Sequence, residues 1–322
     1  MEPRRHGPFP YTPATRRPDF MWPGGKRLAL WAIPNIEIFA LDEKMPAGPG
    51  GSGGLIPDVH TWSIREYGLR IGVFRHMEIL AKHGIRATVA LNSEVCLHCP
   101  EIIEEGNKLG WEWMGHNQSN TRRLNVLPAE EERAVVKATF DQIEAGTGRR
   151  PKGWLGSGLQ ETWDTLDYLA ENGASYVADW ACDDQPFLMD AGGKQLVSLP
   201  YSTEINDKPA FESFLRTADE FADMIRRQFD VLYRESVRSA RVMAISLHPY
   251  ITGRPHRIDA LDDALAHILR HEDVWPATGL RDCRGLPRDG RRVLIGAASD
   301  RGHDSPAMSA ASLASAAQSS PP

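Results

Sequence analysis

Groups of polar residues follow four apolar runs of the sequence directly, and their types are those used in acid–base chemistry. The groups combine carboxylates, imidazoles and amides: Asn35 and Glu37, His116 and Asn120, Asp179, Trp180 and Asp183, and His248. Carboxylates and imidazoles transfer protons near neutral pH, and both also bind metal ions. One such residue at a strand end is as often structural as functional. Four strand ends together indicate a site, because a buried charge is costly unless it is used or paired.

The apolar runs before these groups have the length and composition of buried strands. Six runs are bounded by polar or turn-forming residues: Leu28–Ile33, Ala87–Leu91, Trp111–Met114, Tyr176–Ala178, Gln195–Leu199 and Val242–Leu247. Five amphipathic segments between or after them predict helices: Val73–Lys82, Ala129–Ala145, Thr162–Asn172, Thr217–Glu235 and Asp259–Arg270. This alternation predicts a parallel sheet, either open or closed into a barrel. In both architectures the catalytic groups lie just beyond the carboxyl ends of the strands.

Composition and charge restrict the class of protein. The 322 residues are 41% hydrophobic and 25% charged, which is ordinary for a globular protein. The 37 Lys and Arg against 43 Asp and Glu give a formal net charge of −6, so the basic stripe of a nucleic-acid binder is not expected. No run approaches the roughly 18 apolar residues of a membrane helix, and the N-terminal residues lack the apolar centre of a secretory signal. These features predict a cytoplasmic protein without nucleic-acid or membrane partners.

The two ends of the chain differ from its middle. Residues 1–20 are rich in Pro and predict an extended segment packed over a domain surface. Residues 284–322 lose the apolar periodicity and end in an Ala/Ser/Pro tract, which predicts a disordered tail. Residues 21–283 are left as one catalytic domain.

Four cysteines are present, and Cys96 and Cys99 have the spacing of a zinc or redox pair. Since no second pair completes a four-ligand site, we expect small buried thiols.

The polar groups also match, in order, the motifs of a family of hydrolases. The matching segments are Trp22–Gly25, Asn35–Glu37, Gly115–His116, Thr147–Trp154, Tyr176–Asp179, Asp183–Phe187, His248–Pro255 and His271–Trp275. The set resembles the polysaccharide deacetylase family (carbohydrate esterase family 4, with a NodB-like domain). Within it, the chain is most similar to the branch of allantoinases and related cyclic imide hydrolases. The resemblance covers most of residues 20–283 and implies an α/β fold with a single distorted (β/α) barrel of about seven strands.

The resemblance also implies a site in which several family residues are replaced. Deacetylases of the family bind a divalent metal through an Asp and two His, with a second Asp as base and a C-terminal His as acid. Asn35 stands at the base, Glu37 at the metal-binding Asp, His116 at the first His and Asn120 at the second, while Leu155 replaces an Arg that orients the base. An amide accepts no proton near neutral pH and is a poor zinc ligand. No cofactor is therefore firmly predicted; a divalent metal such as zinc would have the degraded ligand set Glu37, His116 and Asn120.

Without a Lewis acid, amide hydrolysis needs a base to activate water, an acid, and donors for the oxyanion. We therefore predict Glu37 or Asp179 as the base and His248 as the acid, with His116 and Asn120 binding substrate carbonyls. The other predicted substrate-binding residues are Asn35, Trp180, Asp183 and Arg254. Arg254 would bind an anionic group, or alternatively would belong to an ion-pair cluster at a helix start.

The leading hypothesis is a hydrolase of carbon–nitrogen bonds other than peptide bonds, acting on a small polar cyclic amide, imide or ureide of the allantoin kind. An alternative is a metal-dependent N-deacetylase of a sugar or polysaccharide. The missing base Asp, the missing second His and the absence of an expected export signal count against it. A second alternative is a catalytically inactive relative that keeps the pocket to bind a ligand. The expected partners are the small substrate and further copies of the chain in a homo-oligomer.

Overall fold

A largely parallel β-sheet forms the centre of the protein, in a computed structural model that describes residues 7–46 and 53–279. Within these residues the strands are β1 (Leu28–Ile36), β2 (Thr88–Leu91), β3 (Glu112–Gly115), β4 (Gly153–Trp154), β5 (Tyr176–Val177), β6 (Phe187–Ala191), β7 (Lys194–Ser198), β8 (Arg241–Leu247) and β9 (Val274–Pro276). Their order in the sheet is β6-β7-β5-β4-β3-β2-β1-β8, and β9 pairs with the start of β1. All pairs are parallel except the β6–β7 hairpin.

The two ends of the sheet approach each other, so the sheet curls into an incompletely closed barrel. Asn206, in the segment after β7, forms a parallel bridge with Ser246 of β8. The backbone N–H of Val242 donates to the carbonyl of Asp184, just before β6, at 3.0 Å. These contacts confirm the α/β fold with a single distorted barrel. The strands exceed the expected number of about seven because β6 adds an antiparallel neighbour to β7 and β9 pairs over only three residues.

Helices flank the strands, and each predicted helix overlaps an observed one. In the described residues they are α1 (Val59–Tyr67), α2 (Val73–Lys82), α3 (Val95–His98), α4 (Pro100–Lys108), α5 (Ala129–Thr147), α6 (Thr165–Glu171), α7 (Ala218–Glu235) and α8 (Pro255–Leu269). A π-helical turn, Gly68–Gly72, joins α1 to α2. Helix α7 begins at a capping box, in which Thr217 and Glu220 each accept a backbone N–H of the other. The bounds of α2 are as predicted, whereas α1, α3 and α4 were not predicted.

Alternation along β1 decides which side chains face the inside of the barrel. One core cluster combines strand and helix residues and contains Leu28, Leu30 and Ala32. A second cluster contains residues from strands and their connections but none from the helices, and it includes Ala29, Trp31 and Ile33. The second cluster is therefore the inside of the barrel. Because side chains alternate with a period of two, the odd-numbered residues at the end of β1 also face inward.

The N-terminal segment lies against residues that follow β5. The ring of Phe9 packs 5.6 Å from the ring of Trp180 and 4.6 Å from that of Phe187. The carbonyl of Pro8 accepts a hydrogen bond of 2.9 Å from the backbone of Asp190. Residues 280–283 and the predicted tail 284–322 lie outside the described residues.

The cysteines are reduced where the structure describes them. Cys96 and Cys99 are partly buried, and burial raises the pKa of both thiols, to about 11 for Cys96. Cys182 is exposed, so the prediction of a buried thiol was wrong there, while Cys283 lies outside the described residues. None of the helices in the described ranges has the length and apolar character needed to cross a bilayer.

Candidate active site

A buried carboxylate between two imidazoles forms the centre of the site. The Oε1 atom of Glu37 lies 3.4 Å from Nε2 of His116 and 3.5 Å from Nε2 of His248. All three side chains are almost fully buried. Burial by itself raises the pKa of Glu37, but the two imidazoles, His248 foremost, bring this pKa well below its usual value. Glu37 is therefore an anion at neutral pH, and it stabilises positive charge on His248.

The alternation of side chains explains why these three residues meet. Met114 of β3 and Ala244 of β8 belong to the core inside the barrel. His116 follows Met114 by two residues, and His248 follows Ala244 by four, so both imidazoles point inward. Glu37 follows Ile33 of β1, which also belongs to this core, by four residues, so its carboxylate points inward as well. Since the carboxyl ends of parallel strands lie at one edge, the three polar side chains converge there.

Asp207, which the sequence analysis missed, fixes the orientation of His248. Its Oδ1 atom accepts from Nδ1 of His248 at 2.6 Å, and its Oδ2 atom accepts from the backbone N–H of His248 at 2.7 Å. The hydroxyl of Thr252 also donates to Oδ2, at 2.8 Å. The side chain of Asp207 is completely buried. These bonds direct Nε2 of His248 towards Glu37.

The environment of His248 keeps it protonated. Burial lowers the pKa of this imidazole, but the negative charges of Glu37 and Asp207 outweigh burial and raise the pKa from 6.5 to about 9. With Nδ1–H bonded to Asp207, the proton available for transfer is the one on Nε2. His248 therefore has the charge state and the orientation of a general acid at neutral pH.

The turn that carries His248 is held by close backbone contact with the π-helical turn between α1 and α2. A Cβ atom at Gly72 would lie 2.0 Å from the carbonyl oxygen of Pro249, and one at Gly68 would lie 2.9 Å from the backbone nitrogen of Tyr250. Only glycine permits this approach. The position of His248 thus depends on glycines distant from it in sequence.

His116 is held from the opposite side by the backbone after β4. Its Nδ1 atom donates to the carbonyl oxygen of Leu155 at 2.5 Å. A carbonyl oxygen only accepts, so Nδ1 carries a proton and Nε2 faces Glu37. Leu155, which stands where the family has an orienting Arg, thus contributes its backbone and a buried apolar side chain.

Asp179 and Glu161 form a second acidic pair, and Glu161 was also missed by the sequence analysis. Oδ1 of Asp179 accepts from the backbone N–H of Gly156 at 2.7 Å. Burial raises the pKa of Asp179 from 3.8 to about 6. Burial, followed by the charge of Asp179, raises the pKa of Glu161 well above its usual value. At neutral pH Asp179 is therefore mostly ionised, and its charge opposes the ionisation of Glu161.

The two amides at family positions form internal hydrogen bonds, Asn35 through its nitrogen and Asn120 through its oxygen. Nδ2 of Asn35 donates to Ser246 Oγ at 2.8 Å and to the carbonyls of Ile33 and Leu247, so it joins β1 to β8. Oδ1 of Asn120 accepts from Nδ2 of Asn92 at 3.0 Å and from the hydroxyl of Ser157. The oxygen of Asn120 is thus occupied, and its Nδ2 is the atom left to bind a substrate oxygen.

The predicted metal ligands do not fit a metal ion. Because the oxygen of Asn120 accepts two hydrogen bonds and its nitrogen is a donor, the amide cannot complete a set with Glu37 and His116. Among the described residues, no group of three or more His, Cys, Asp or Glu side chains is placed to hold a metal ion. The donor set of this chain therefore departs from that of the metal-dependent deacetylases that it resembles.

The structure brings three other predicted substrate-binding residues into different contacts. Trp180 lies beside the site, where its Nε1 donates to both carboxyl oxygens of Glu161 at 3.2 and 3.3 Å. Asp183 forms an ion pair of 2.5 Å with Arg17 of the N-terminal segment. The guanidinium of Arg254 stacks on the ring of Tyr67 at 3.7 Å and donates to two backbone carbonyls. Asp183 and Arg254 are thus engaged within the protein rather than directed at Glu37.

The chain is similar to polysaccharide deacetylases and to an allantoinase, although no family model matches it. A Schizosaccharomyces pombe protein named "Putative polysaccharide deacetylase" is 27% identical over 281 residues, which cover 79% of this chain and 84% of that protein. The structure of a "probable Polysaccharide deacetylase" from Pseudomonas aeruginosa PAO1 is 26% identical, with a TM-score of 0.78 over 85% of this chain and 95% of that one. The PuuE allantoinase structure is 24% identical, with a TM-score of 0.79 over 88% of this chain and 98% of that one.

These similarities give the fold and the reaction class. The barrel is that of the deacetylase structures, and the chain is a hydrolase of the deacetylase type, acting on carbon–nitrogen bonds other than peptide bonds. The names of the relatives favour N-deacetylation of a polysaccharide over the hydrolysis of a ring amide that the sequence analysis preferred. The similarity to the allantoinase gives the fold alone.

Proposed function

We propose that this chain hydrolyses a ring amide of a small polar cyclic amide, imide or ureide, with its own side chains as acid and base. One observation carries the proposal. Nδ2 of Asn35 and Oδ1 of Asn120, at the family's positions for the base and a metal ligand, are engaged in internal hydrogen bonds, whereas His248 is oriented by the carboxylate of Asp207. The changes affect the metal-dependent half of the site and leave the acid intact.

Two groups with well-separated pKa values support an acid–base mechanism. The pKa of Asp179 is raised by burial to about 6, and that of His248 is raised by Glu37 and Asp207 to about 9. Between these values Asp179 is ionised while His248 is protonated, which is the combination that hydrolysis needs. Asp179 is a better base than Glu37, because a carboxylate with a strongly lowered pKa accepts a proton weakly. Of the two bases predicted from sequence, we therefore favour Asp179.

The proposed reaction proceeds by addition of water and loss of the ring nitrogen. Asp179 removes a proton from water as the water oxygen bonds to the carbonyl carbon. The carbonyl oxygen becomes an oxyanion, which Nδ2 of Asn120 stabilises by donating a hydrogen bond. When the oxyanion collapses, the carbon–nitrogen bond breaks, and Nε2–H of His248 protonates the departing nitrogen. The product is an opened chain with a carboxylic acid, which loses its proton to solvent, and the released nitrogen is an amine, an amide or a ureido group when the substrate is a cyclic amide, an imide or a ureide, respectively. Asp179 then returns its proton to solvent and His248 regains one.

N-deacetylation of an acetylated sugar is the second candidate. The specific observation in its favour is the 27% identity with the polysaccharide deacetylase relative over 281 residues. That reaction also breaks an amide carbon–nitrogen bond, so Asp179 and His248 would have the same roles. The two candidates differ in substrate size and in the need for a metal ion.

A substrate panel with metal analysis separates the candidates. Purified protein, before and after treatment with a chelator, is assayed on hydantoin, allantoin, succinimide and N-acetylglucosamine oligomers, and its zinc content is measured. The proposal expects ring opening that survives the chelator. Stoichiometric zinc with chelator-sensitive release of acetate would establish the second candidate instead. Binding of a ring compound without turnover would establish an inactive ligand-binding relative.

Substitution of the acid provides an internal test of the mechanism. We expect His248→Gln to lower kcat/KM roughly 10²- to 10⁴-fold, because no proton reaches the departing nitrogen. His267→Gln is the matched control, since its imidazole pairs with Asp230 near the surface at 3.0 Å, and about wild-type activity is expected for it. Unchanged turnover in His248→Gln would refute the proposed role.

A further inference from the structure

Arg65 is a buried cation without a carboxylate partner in the described residues. It belongs to α1 and is 5% exposed. Its Nη1 atom donates to the carbonyl of Thr61 at 3.2 Å. Its Nε atom has no hydrogen-bond partner, and no ion pair is formed by its guanidinium, within residues 7–46 and 53–279. Since a buried charge is unfavourable without a partner, this arrangement is expected where an anion binds from outside.

Two aromatic rings connect Arg65 to the site. Its Cζ atom lies 5.0 Å from the ring centroid of Phe39 and 5.7 Å from that of Tyr250. Phe39 is two residues from Glu37 along the chain, and the ring of Tyr250 lies 5.7 Å from the ring of His248. Burial and the charge of Glu37 raise the pKa of Tyr250, whereas Arg65 lowers it. Arg65 thus lies one aromatic ring away from the acid.

The neighbouring polar groups are already engaged. The hydroxyl of Tyr250 accepts from Nζ of Lys208 at 3.0 Å and contacts Glu212 at 3.4 Å. Arg254, which the sequence analysis proposed as an anion-binding residue, stacks on Tyr67 and donates to backbone carbonyls through Nε and Nη2. Arg65 differs because its Nε–H has no acceptor within residues 7–46 and 53–279. The ring contacts hold its guanidinium, whose planar set of donors matches a carboxylate.

We propose that Arg65 binds a carboxylate group of the substrate, so that the preferred substrate is an anionic cyclic amide rather than a neutral one. This inference rests on the proposed function and names the substrate class of the same site. The carboxylate would lie on the side of Tyr250, a few bonds from the amide that His248 protonates. Arg65 is then a specificity-determining residue that touches the substrate away from the reacting bond.

A matched pair of substrates tests the inference. Hydantoin-5-acetate and its neutral amide, hydantoin-5-acetamide, differ in charge but hardly in shape. We expect the wild type to prefer the acid, and Arg65→Met to lower kcat/KM for the acid roughly 100-fold while changing that for the amide less than about threefold. Arg65→Lys should recover part of the loss. A wild type without preference, or an equal fall for both substrates in Arg65→Met, would overturn the inference.

Two controls separate this inference from folding and from the proposed function. Arg254→Met tests the other arginine, and we expect it to lack the selective effect; thermal unfolding reports whether Arg65→Met is folded. If neither hydantoin is turned over, the substrate panel above decides the proposed function, and succinate serves as a carboxylate probe that is independent of turnover. Succinate should raise the unfolding midpoint of the wild type more than that of Arg65→Met. An equal effect of succinate on both proteins contradicts a carboxylate site at Arg65.

Discussion

Replacement of Asp207 by Asn should shift the proton affinity of His248 without removing either imidazole nitrogen. The pKa of His248 rises from 6.5 to about 9, which corresponds to about 3 kcal/mol in favour of the charged form. Glu37 and Asp207 both contribute to this rise. Loss of one carboxylate should therefore remove about 1–2 kcal/mol of the preference for the charged imidazole, which corresponds to a pKa of His248 lower by about one pH unit. Three donors face Asp207: the backbone N–H and Nδ1–H of His248 and the hydroxyl of Thr252. In the Asn variant, one of these donors faces the amide N–H group instead of an acceptor.

The pH dependence of kcat/KM measures this change directly. In the wild type, activity should rise as Asp179 ionises near pH 6 and fall as His248 loses its proton near pH 9. In Asp207→Asn the fall at high pH should begin about one pH unit lower, with a maximal rate reduced at least about tenfold. Asp230→Asn, which removes the partner of His267 near the surface, serves as the control and should leave both limits in place.

The pH dependence of the free energy of unfolding should also reflect the titration of His248. Because the folded-state pKa of His248 is raised, its stabilising contribution is complete below pH 6.5 and is lost as the pH rises through about 9. Asp207→Asn should reduce this contribution, which urea unfolding at pH 6 and pH 10 would detect as a smaller pH dependence. An upper pH limit that stays near 9 in Asp207→Asn would refute the assignment of His248 as the titrating acid.

Two further substitutions test the base and the helix contact. Asp179→Asn should abolish turnover yet raise the free energy of unfolding at pH 7 by about 3 kcal/mol. The raised pKa of Asp179 makes its ionisation destabilising as pH rises from 3.8 to about 6, so the gain should vanish below about pH 4, and urea unfolding at both pH values checks it. Gly72→Ala should cost about 1–3 kcal/mol by overpacking and lower kcat, because its Cβ would lie 2.0 Å from a backbone oxygen of Pro249. Gly84→Ala has no atom within 4 Å of its Cβ and should cost only the strain of a positive φ, about 1 kcal/mol, with kcat unchanged. Equal activity losses in the two alanine variants, or a stability gain in Asp179→Asn that persists at low pH, would contradict these arguments.

The elements predicted from sequence are those whose pattern is local. The strands β1 and β8 are long apolar runs, and α2 has apolar residues at helical spacing between clear boundaries. Gly153–Trp154 was not predicted as β4, because two residues are too short to show a period. Helix α1 was not predicted because most of its residues are polar and it buries chiefly Thr61 and Arg65. Its position depends on contact with the turn after β8, and a contact between segments so distant in sequence cannot be predicted from a local pattern.

The same distinction applies to the site. Glu37, His116 and His248 could be found because each continues the inward-facing alternation of a strand, so the strand-end rule applies to them. Asp207, Glu161 and Arg65 lie in a connecting segment, a loop and a helix, where the sequence gives no direction for the side chain. Arg254 and Asp183 are polar and close to motifs, but Tyr67 and Arg17 engage them from distant parts of the chain. Residue type alone therefore does not indicate that Arg65 is the arginine whose Nε lacks a partner among the described residues.

The distribution of charge also determines how a substrate would be oriented. At neutral pH the site holds the anions Glu37 and Asp207, and also the ionised Asp179. The protonated His248 lies between the first two, so the side of Asp179 remains negative. Under the proposed function, a substrate carboxylate would be repelled from that side and attracted to Arg65, beyond the ring of Tyr250. The ring amide would then be directed towards His248 and the water towards Asp179, so that the positive side of the site binds the substrate and the negative side activates the water.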